Sequence, residues 1–178
     1  VLVGRTNVGK STLLNALVGV KIAAVSPKPQ TTRTRVVGVR TLLDAQAVFV
    51  DTPGIHPARS LVNRRMVELA EQTIPEADVI CFVLDAEAGL KSADRALAER
   101  LVGGRSSVVA VINKSDRVKK PTLLPILAAL GDILPGAPLI PASARRGEGV
   151  STVLDAVVQG LPEGPALYPE DQFTTESS

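Results

Sequence analysis

The sequence predicts an α/β chain with a six-stranded, mostly parallel sheet, one antiparallel strand and helices on both faces. Three observations carry this. The runs Val79–Leu84 and Val108–Ile112 are apolar at every position, the pattern of strands covered on both faces. Helical spacing of apolar residues fills the gaps between such runs, as crossover connections require. A glycine-rich turn from Gly4 to Gly9 lies between the strand-like Val1–Val3 and a helical pattern over Lys10–Val18.

Taken in order, Val1–Val3 reads as the stub of a first strand clipped at its start. Lys10–Val18 carries Leu13, Leu14, Leu17 and Val18 on one helical face. Ser26–Thr34, with Pro27 and Pro29 and no period, is a surface loop. Arg35–Leu43 and Ala47–Val50 are strands joined by a turn around Asp44-Ala45-Gln46, a connection short enough to demand antiparallel pairing. Leu61–Thr73, Ala93–Leu101, Thr122–Leu130 and Val150–Val158 read as helices, and Leu139-Ile140 as a short last strand. From Leu161 the chain has Pro162, Pro165 and Pro169 and reads as a linker.

The 178 residues suit one domain or slightly more. Hydrophobic residues make up 45% and aromatics 2%, so Val, Leu, Ile and Ala must build the core. A net charge of +2 is too small to argue for nucleic-acid binding by itself. The single cysteine, Cys81, excludes an intrachain disulfide and reads as a buried core thiol. No apolar run is long enough for a transmembrane helix, and no secretory signal is recognisable.

Gly4-Arg5-Thr6-Asn7-Val8-Gly9-Lys10-Ser11, followed by Thr12, has the spacing of a phosphate-binding loop of the P-loop NTPase type. Phosphate oxygens need many donors in a small volume. Glycines let backbone N–H groups converge, and a helix N-terminus adds partial positive charge. Lys10 is placed to reach the β- and γ-phosphates and Ser11 to ligate Mg²⁺. Asp51-Thr52-Pro53-Gly54 follows a strand, forty positions after Ser11. There the Asp51 carboxylate can hold Mg²⁺ through water, and the Gly54 N–H can meet a γ-phosphate.

Asn113-Lys114-Ser115-Asp116 follows the run Val108–Ile112. A carboxylate at Asp116 can accept from the N1–H and 2-amino groups of guanine, and adenine offers neither donor there. The Lys114 stem can lie along a base face. Ser143-Ala144 would present backbone N–H groups to the guanine O6. Thr31 or Thr32, in the loop Gln30-Thr31-Thr32-Arg33-Thr34, could reach Mg²⁺ and the γ-phosphate in the triphosphate state, with Thr32 preferred for the metal. Lys10, Thr32, Asp51 and Gly54 are thus the candidate catalytic residues.

In this order the motifs resemble those of the Era-type bacterial GTPases, within the group that also holds the Der and tRNA-modification GTPases. The resemblance rests on Gly4-Arg5, Asn7 to Asn15, Pro29-Gln30-Thr31-Thr32-Arg33, Asp51 to His56, Asn113-Lys114, Asp116, Pro141 to Ala144 and Tyr168 to Asp171. Gln30–Arg33 is the most discriminating piece. The resemblance implies a GTPase domain over residues 1–162, its first strand truncated. It implies that residues 163–178 are a linker toward a C-terminal KH RNA-binding domain absent from this chain. It further implies a Mg²⁺-dependent switch in small-subunit (30S) ribosome assembly and 16S rRNA maturation. The location implied is the cytoplasm, with peripheral association at the inner face of the membrane left open.

One position departs from Ras-type enzymes. Where those carry a water-orienting glutamine, this chain has Ile55, as Era-type relatives do. The resemblance also implies K⁺ at Asn7, supplying charge where an arginine finger would. The alternative for Asn7 is that it only shapes the loop. Lys21, Lys28, Arg33, Arg35, Arg40, Arg59, Arg64 and Arg65 form either an RNA-facing surface or a solvated, balanced one. His56 reads as a loop or partner contact, and Tyr168 and Phe173 as anchors of the tail. Two further readings stay open: a GDP/GTP-binding regulatory module with negligible turnover, and a GTPase of the Der or tRNA-modification type. An ATP-binding P-loop protein is disfavoured by Asp116.

Overall fold

A computed structural model describes residues 1–19, 35–51 and 77–168. Within them β1 (Leu2–Val3) leads through the glycine-rich turn to α1 (Lys10–Val18). A hairpin of β2 (Arg35–Thr41) and β3 (Gln46–Asp51) follows. Then come β4 (Val79–Asp85), α2 (Ser92–Leu101), β5 (Ser107–Asn113) and α3 (Lys120–Ile133). The order closes with β6 (Leu139–Pro141) and α4 (Val150–Gly160).

β1, β4, β5 and β6 form a parallel sheet in that order. β4 and β5 pair over their whole length, from Val79 opposite Ser107 to Asp85 opposite Asn113. Their uninterrupted apolar sequence follows from two covered faces. Cys81, Val83, Val109 and Val111 point to the layer of α1 and α4, where they meet Leu13, Leu17, Val153 and Val157. Ile80, Phe82, Leu84, Ala110 and Ile112 point the other way, onto Leu97 and Leu101 of α2 and Leu123, Ile126 and Leu130 of α3. A one-residue slip of either strand would exchange the two sets. Phe82 is fully buried. Truncating such a side chain to alanine costs roughly 3–5 kcal/mol.

The α/β class with a parallel sheet stands as expected; among the described residues the single six-stranded sheet is instead four parallel strands plus a separate two-stranded antiparallel hairpin. The length of β1 explains this. Its two residues pair with Cys81 and Phe82 and leave little main chain for a second neighbour. Side chains hold the hairpin instead. Ala47 and Phe49 are buried in the core shared by α1 and α4. A cavity of about 180 Å³, bounded by Phe49, Val79 and Cys81, separates β3 from the β1–β4 edge.

Other boundaries shift by a few residues. β2 stops at Thr41, because Leu42 to Ala45 form the turn and Leu42 N–H donates to the Ala45 carbonyl at 2.8 Å. The expected helix over Leu61–Thr73 lies outside the described residues. The segment Leu161–Tyr168 leaves α4 and lies on the hairpin. Gln46 Oε1 accepts from Leu167 N–H (2.9 Å) and Tyr168 N–H (3.0 Å), and Gln46 Nε2 donates to the Tyr168 carbonyl (2.9 Å). Tyr168 therefore anchors the tail, through its backbone. Phe173 is outside the described residues.

Candidate nucleotide site

The glycine-rich turn, Asp51, Asp85, Asn113 and Ala142 all stand at or just beyond the C-terminal ends of strands. In open α/β sheets this edge is the ligand-binding edge. The turn passes close to its neighbours. A Cβ on Gly4 (φ +152°) would come 2.2 Å from the Val83 carbonyl oxygen, and one on Gly9 (φ +96°) 2.3 Å from Asn113 Nδ2. Side chains at these positions would push the loop off β4 and β5.

Gly9 is the N-cap of α1, which has no side-chain cap and no acidic residue in its first turn. The N–H groups opening a helix have no intrahelical acceptor and carry partial positive charge. Ser11 and Thr12 are exposed there. Lys10 Nζ folds back over the loop and donates to the carbonyls of Gly4 (2.8 Å) and Arg5 (2.6 Å). Burial holds its pKa below the ordinary lysine value, since desolvation penalises the ammonium. An uncapped helix end plus a desolvated cation makes an anion site.

Asn113 holds this loop to the rest of the edge. It is 2% exposed; Nδ2 donates to the Val8 carbonyl (2.9 Å) and Oδ1 accepts from Ala144 N–H (3.0 Å). Lys114 adopts φ +61°, unusual for a side chain with a Cβ. Its ammonium donates to the Asn7 carbonyl (2.7 Å) and to Asp85 Oδ2. Burial opposes ionisation of Asp85. Hydrogen bonds from Lys114 and from the N–H groups of Ala88 and Glu87 outweigh it, and the pKa falls below the usual aspartate value.

Asp116 borders a cavity of about 260 Å³ that Gly9, Thr12, Lys114, Ser143 and Ala144 also line. A hydrogen bond from Ser143 is the largest cause holding its carboxyl below the ordinary value, with Arg146 and Arg117 adding to it. Arg146 Nε lies 3.5 Å from Asp116 Oδ2. The carboxylate is thus an acceptor at the mouth of a small cavity beside the loop.

The structure brings together Gly4, Arg5, Thr6, Asn7, Val8, Gly9, Lys10, Ser11 and Thr12 with Asn113, Lys114, Ser115, Asp116, Ser143 and Ala144. One expectation changes. Ser143 N–H donates to the Glu148 carbonyl (2.9 Å) and Ala144 N–H to Asn113, so both serve the protein itself. The segment is a turn closed by an antiparallel bridge between Ser143 and Glu148, which takes the Ser143 N–H, while Asn113 takes that of Ala144. Asp51 is the last residue of β3, opposite Arg35. Thr52, Pro53, Gly54, Ile55, His56 and Gln30 to Thr34 lie outside the described residues. So do Lys21, Lys28, Arg33, Arg59, Arg64 and Arg65. Arg40 Nη1 donates to the Val18 carbonyl at 3.2 Å and so serves the C-terminal end of α1.

Sequence reading missed three residues. Asp85 directly follows an apolar strand run, a position that could have marked it. Asp94 shares a helical face with Leu97, Ala98 and Leu101, and a carboxylate on an apolar stripe is a signal. Gln46 gave none, because its partners belong to an irregular tail.

This fold and edge define a P-loop nucleotide-binding protein of the GTPase class. Residues 1–114 match the family model described as "50S ribosome-binding GTPase", and the chain belongs to that family. It is 42% identical over 176 residues to "GTPase Era" of Syntrophus aciditrophicus, covering 99% of this chain and 58% of the relative. A crystal structure of Era with MgGDPNP and nucleotides 1506–1542 of 16S ribosomal RNA is similar at TM-score 0.75 and 39% identity. That match covers 96% of this chain and 58% of the solved one. A variant of Aquifex aeolicus Era bound to GDP·AlF4⁻ matches at TM-score 0.75 and 38% identity, over 99% of this chain and 60% of that one. The chain thus spans about three fifths of the length of these relatives.

Proposed function

We propose that this chain binds guanine nucleotide and hydrolyses GTP as the nucleotide-binding part of an Era-type GTPase. The carrying observation is the uncapped N-terminus of α1, with Lys10 poised over the Gly4–Gly9 loop. The loop N–H groups from Arg5 to Thr12 receive the α- and β-phosphates. Lys10 exchanges its carbonyl partners for β- and γ-phosphate oxygens. Asp116 accepts from the guanine edge, and Lys114, tied to Asn7 and Asp85, closes the base cavity against the phosphate loop.

In the reaction, water attacks the γ-phosphorus in line with the β–γ bridging oxygen. That P–O bond breaks, GDP leaves with the electron pair, and inorganic phosphate is formed. Lys10 and the helix N-terminus stabilise the charge growing on the β-phosphate. Gly54 offers its N–H to the γ-phosphate, with Thr52, Pro53 and Ile55 completing that segment and Gln30–Thr34 the first switch. Ser11 is an exposed hydroxyl at the loop, a hard oxygen donor of the kind Mg²⁺ takes; in this reading Thr32 and Asp51 would complete the donor set. When bound, Mg²⁺ supplies charge neutralisation at the β- and γ-phosphates. K⁺ at Asn7 is the further cation of this reading; Asn7 is exposed at φ +64°.

We also propose that residues 163–178 lead toward a KH domain. Through it the whole protein would bind 16S rRNA and the 30S subunit in the cytoplasm. The Era–rRNA complex among the relatives supports this. Among the described residues no helix is long and apolar enough to cross a membrane. Peripheral membrane association would show as sedimentation with lipid vesicles.

The test is mant-GDP binding and phosphate release for the wild type and Lys10→Ala, each in K⁺ and Na⁺ buffers. Binding and turnover lost with Lys10→Ala support the reading. Equal rates in the two buffers remove K⁺ from it. A chain that binds GTP but releases phosphate only with ribosomal subunits would be a regulatory module.

A further inference from the structure

Asn113 and Lys114 hold the second half of the phosphate loop, at Val8 and Asn7. The first half is held by a residue that no motif names. Arg5 Nη1 donates to Asp94 Oδ2 at 3.3 Å, across 89 positions of chain. Asp94 is 1% exposed and the Arg5 side chain 32%. The same Oδ2 accepts from Lys91 N–H at 2.9 Å, so Asp94 also caps the first turn of α2. Its other oxygen, Oδ1, is buried with no hydrogen-bond partner.

A helix cap alone does not explain this arrangement. Capping uses one oxygen, and an asparagine would serve it. Arg5 and Lys91 N–H share Oδ2, and burying a carboxylate where a neutral amide could cap is costly unless a cation offsets the charge. The cation here is the residue whose own carbonyl receives Lys10 at 2.6 Å. We infer that Asp94 is a positioning residue for the phosphate loop: through Arg5 it fixes the carbonyl that sets Lys10 against the phosphates. This rests on the functional reading above and deepens it.

Because Lys10 matters most where charge develops, a displaced loop should lower kcat more than it raises KM. The 178-residue chain is compared with Arg5→Ala, Arg5→Lys, Asp94→Asn and the Arg5→Ala/Asp94→Asn double variant. Single-turnover GTP hydrolysis is normalised to sites titrated with mant-GDP. Asp94→Asn keeps a capping oxygen and loses the charge. We expect Arg5→Ala and Asp94→Asn each to lower the rate per site by on the order of ten- to a hundredfold. The double variant should be no slower than the worse single, and Arg5→Lys should recover part of the loss.

An Asp94→Asn chain that melts earlier but hydrolyses at the wild-type rate per site overturns the inference and leaves Asp94 a cap of α2. So do multiplicative losses in the double variant. If Asp94→Asn does not fold, Arg5→Ala decides alone: an unchanged rate overturns the proposal and a lowered one supports it. A wild type that binds no guanine nucleotide overturns the reading of the site, and with it this inference. A wild type that binds, with variants indistinguishable from it, overturns the inference alone.

Discussion

Asn113 donates from Nδ2 to the Val8 carbonyl at 2.9 Å, joining residues 105 positions apart. Its Oδ1 receives Ala144 N–H, so one buried amide fixes three loops. These contacts place the N-terminus of α1 beside the cavity at Asp116. The asparagine therefore acts on relative position.

Asn113→Ala should strand a buried carbonyl and a buried N–H. Unsatisfied buried groups cost about 1–3 kcal/mol each. Chemical denaturation should show a loss of at least about 2 kcal/mol, with weaker GDP binding. A variant as stable as the wild type would mean that water replaces the amide.

Asp116→Asn replaces a pure acceptor by a side chain that can also donate. Xanthine carries a carbonyl where guanine has its 2-amino group, so competition assays should show preference moving from GDP to XDP. An unchanged preference would remove Asp116 from base recognition. The pH dependence has a definite sign. The folded-state pKa is depressed, so the carboxylate persists to a pH below the usual aspartate value. GDP affinity should stay flat down to that point and fall below it. Ser143→Ala should move the fall to higher pH.

Lys10 titrates with the opposite sense. Burial depresses its pKa in the free protein, and phosphate oxygens raise it again on binding. Affinity for GDP should thus fall as pH climbs through the lowered pKa, and calorimetry in buffers of different ionisation enthalpy should show proton uptake at pH values between the free and bound pKa. Stability of the nucleotide-free chain should rise over the window between the folded and unfolded pKa values, because the folded state binds fewer protons there. Lys10→Arg should abolish the proton uptake, since guanidinium does not titrate.

Gln46→Ala removes the three hydrogen bonds that seat Leu167 and Tyr168 on the hairpin. The tail from Leu161 should become sensitive to limited proteolysis, with a stability loss of about 1 kcal/mol. GDP affinity should be unchanged, because Gln46 begins β3 and the proposed site lies beyond its other end.

The sequence made the buried strands legible because two covered faces leave an unbroken apolar run. Val79–Asp85 and Ser107–Asn113 differ from their expected bounds only by terminal polar residues. α1 was found at its expected limits because Gly9 precedes it and the apolar spacing ends at Val18. The phosphate loop and Asn113–Asp116 were legible because their spacing is itself chemical. The division of the strands into two sheets was not, since pairing across long separations leaves no local trace. Nor could spacing show that Ser143 and Ala144 spend their N–H groups inside the protein, or that the Lys114 ammonium reaches Asn7. Asp94 is marked in the sequence as a carboxylate on an apolar helical stripe, but its pairing with Arg5, 89 positions away, leaves no local trace.

Cys81 is the only cysteine of the chain. It lies in the middle of β4 at 2% exposure, and burial pushes its pKa up to about 11. At neutral pH the reactive thiolate is on the order of one molecule in ten thousand, and the folded chain shields even that fraction. Alkylation at Cys81 should therefore keep time with opening of the central sheet. A bound nucleotide should slow that clock by a factor of one plus the ratio of free nucleotide to Kd, about tenfold for every ~1.4 kcal/mol of stability it adds. A second cysteine placed at exposed Leu43 would carry a dye by itself, with no need to remove the native thiol.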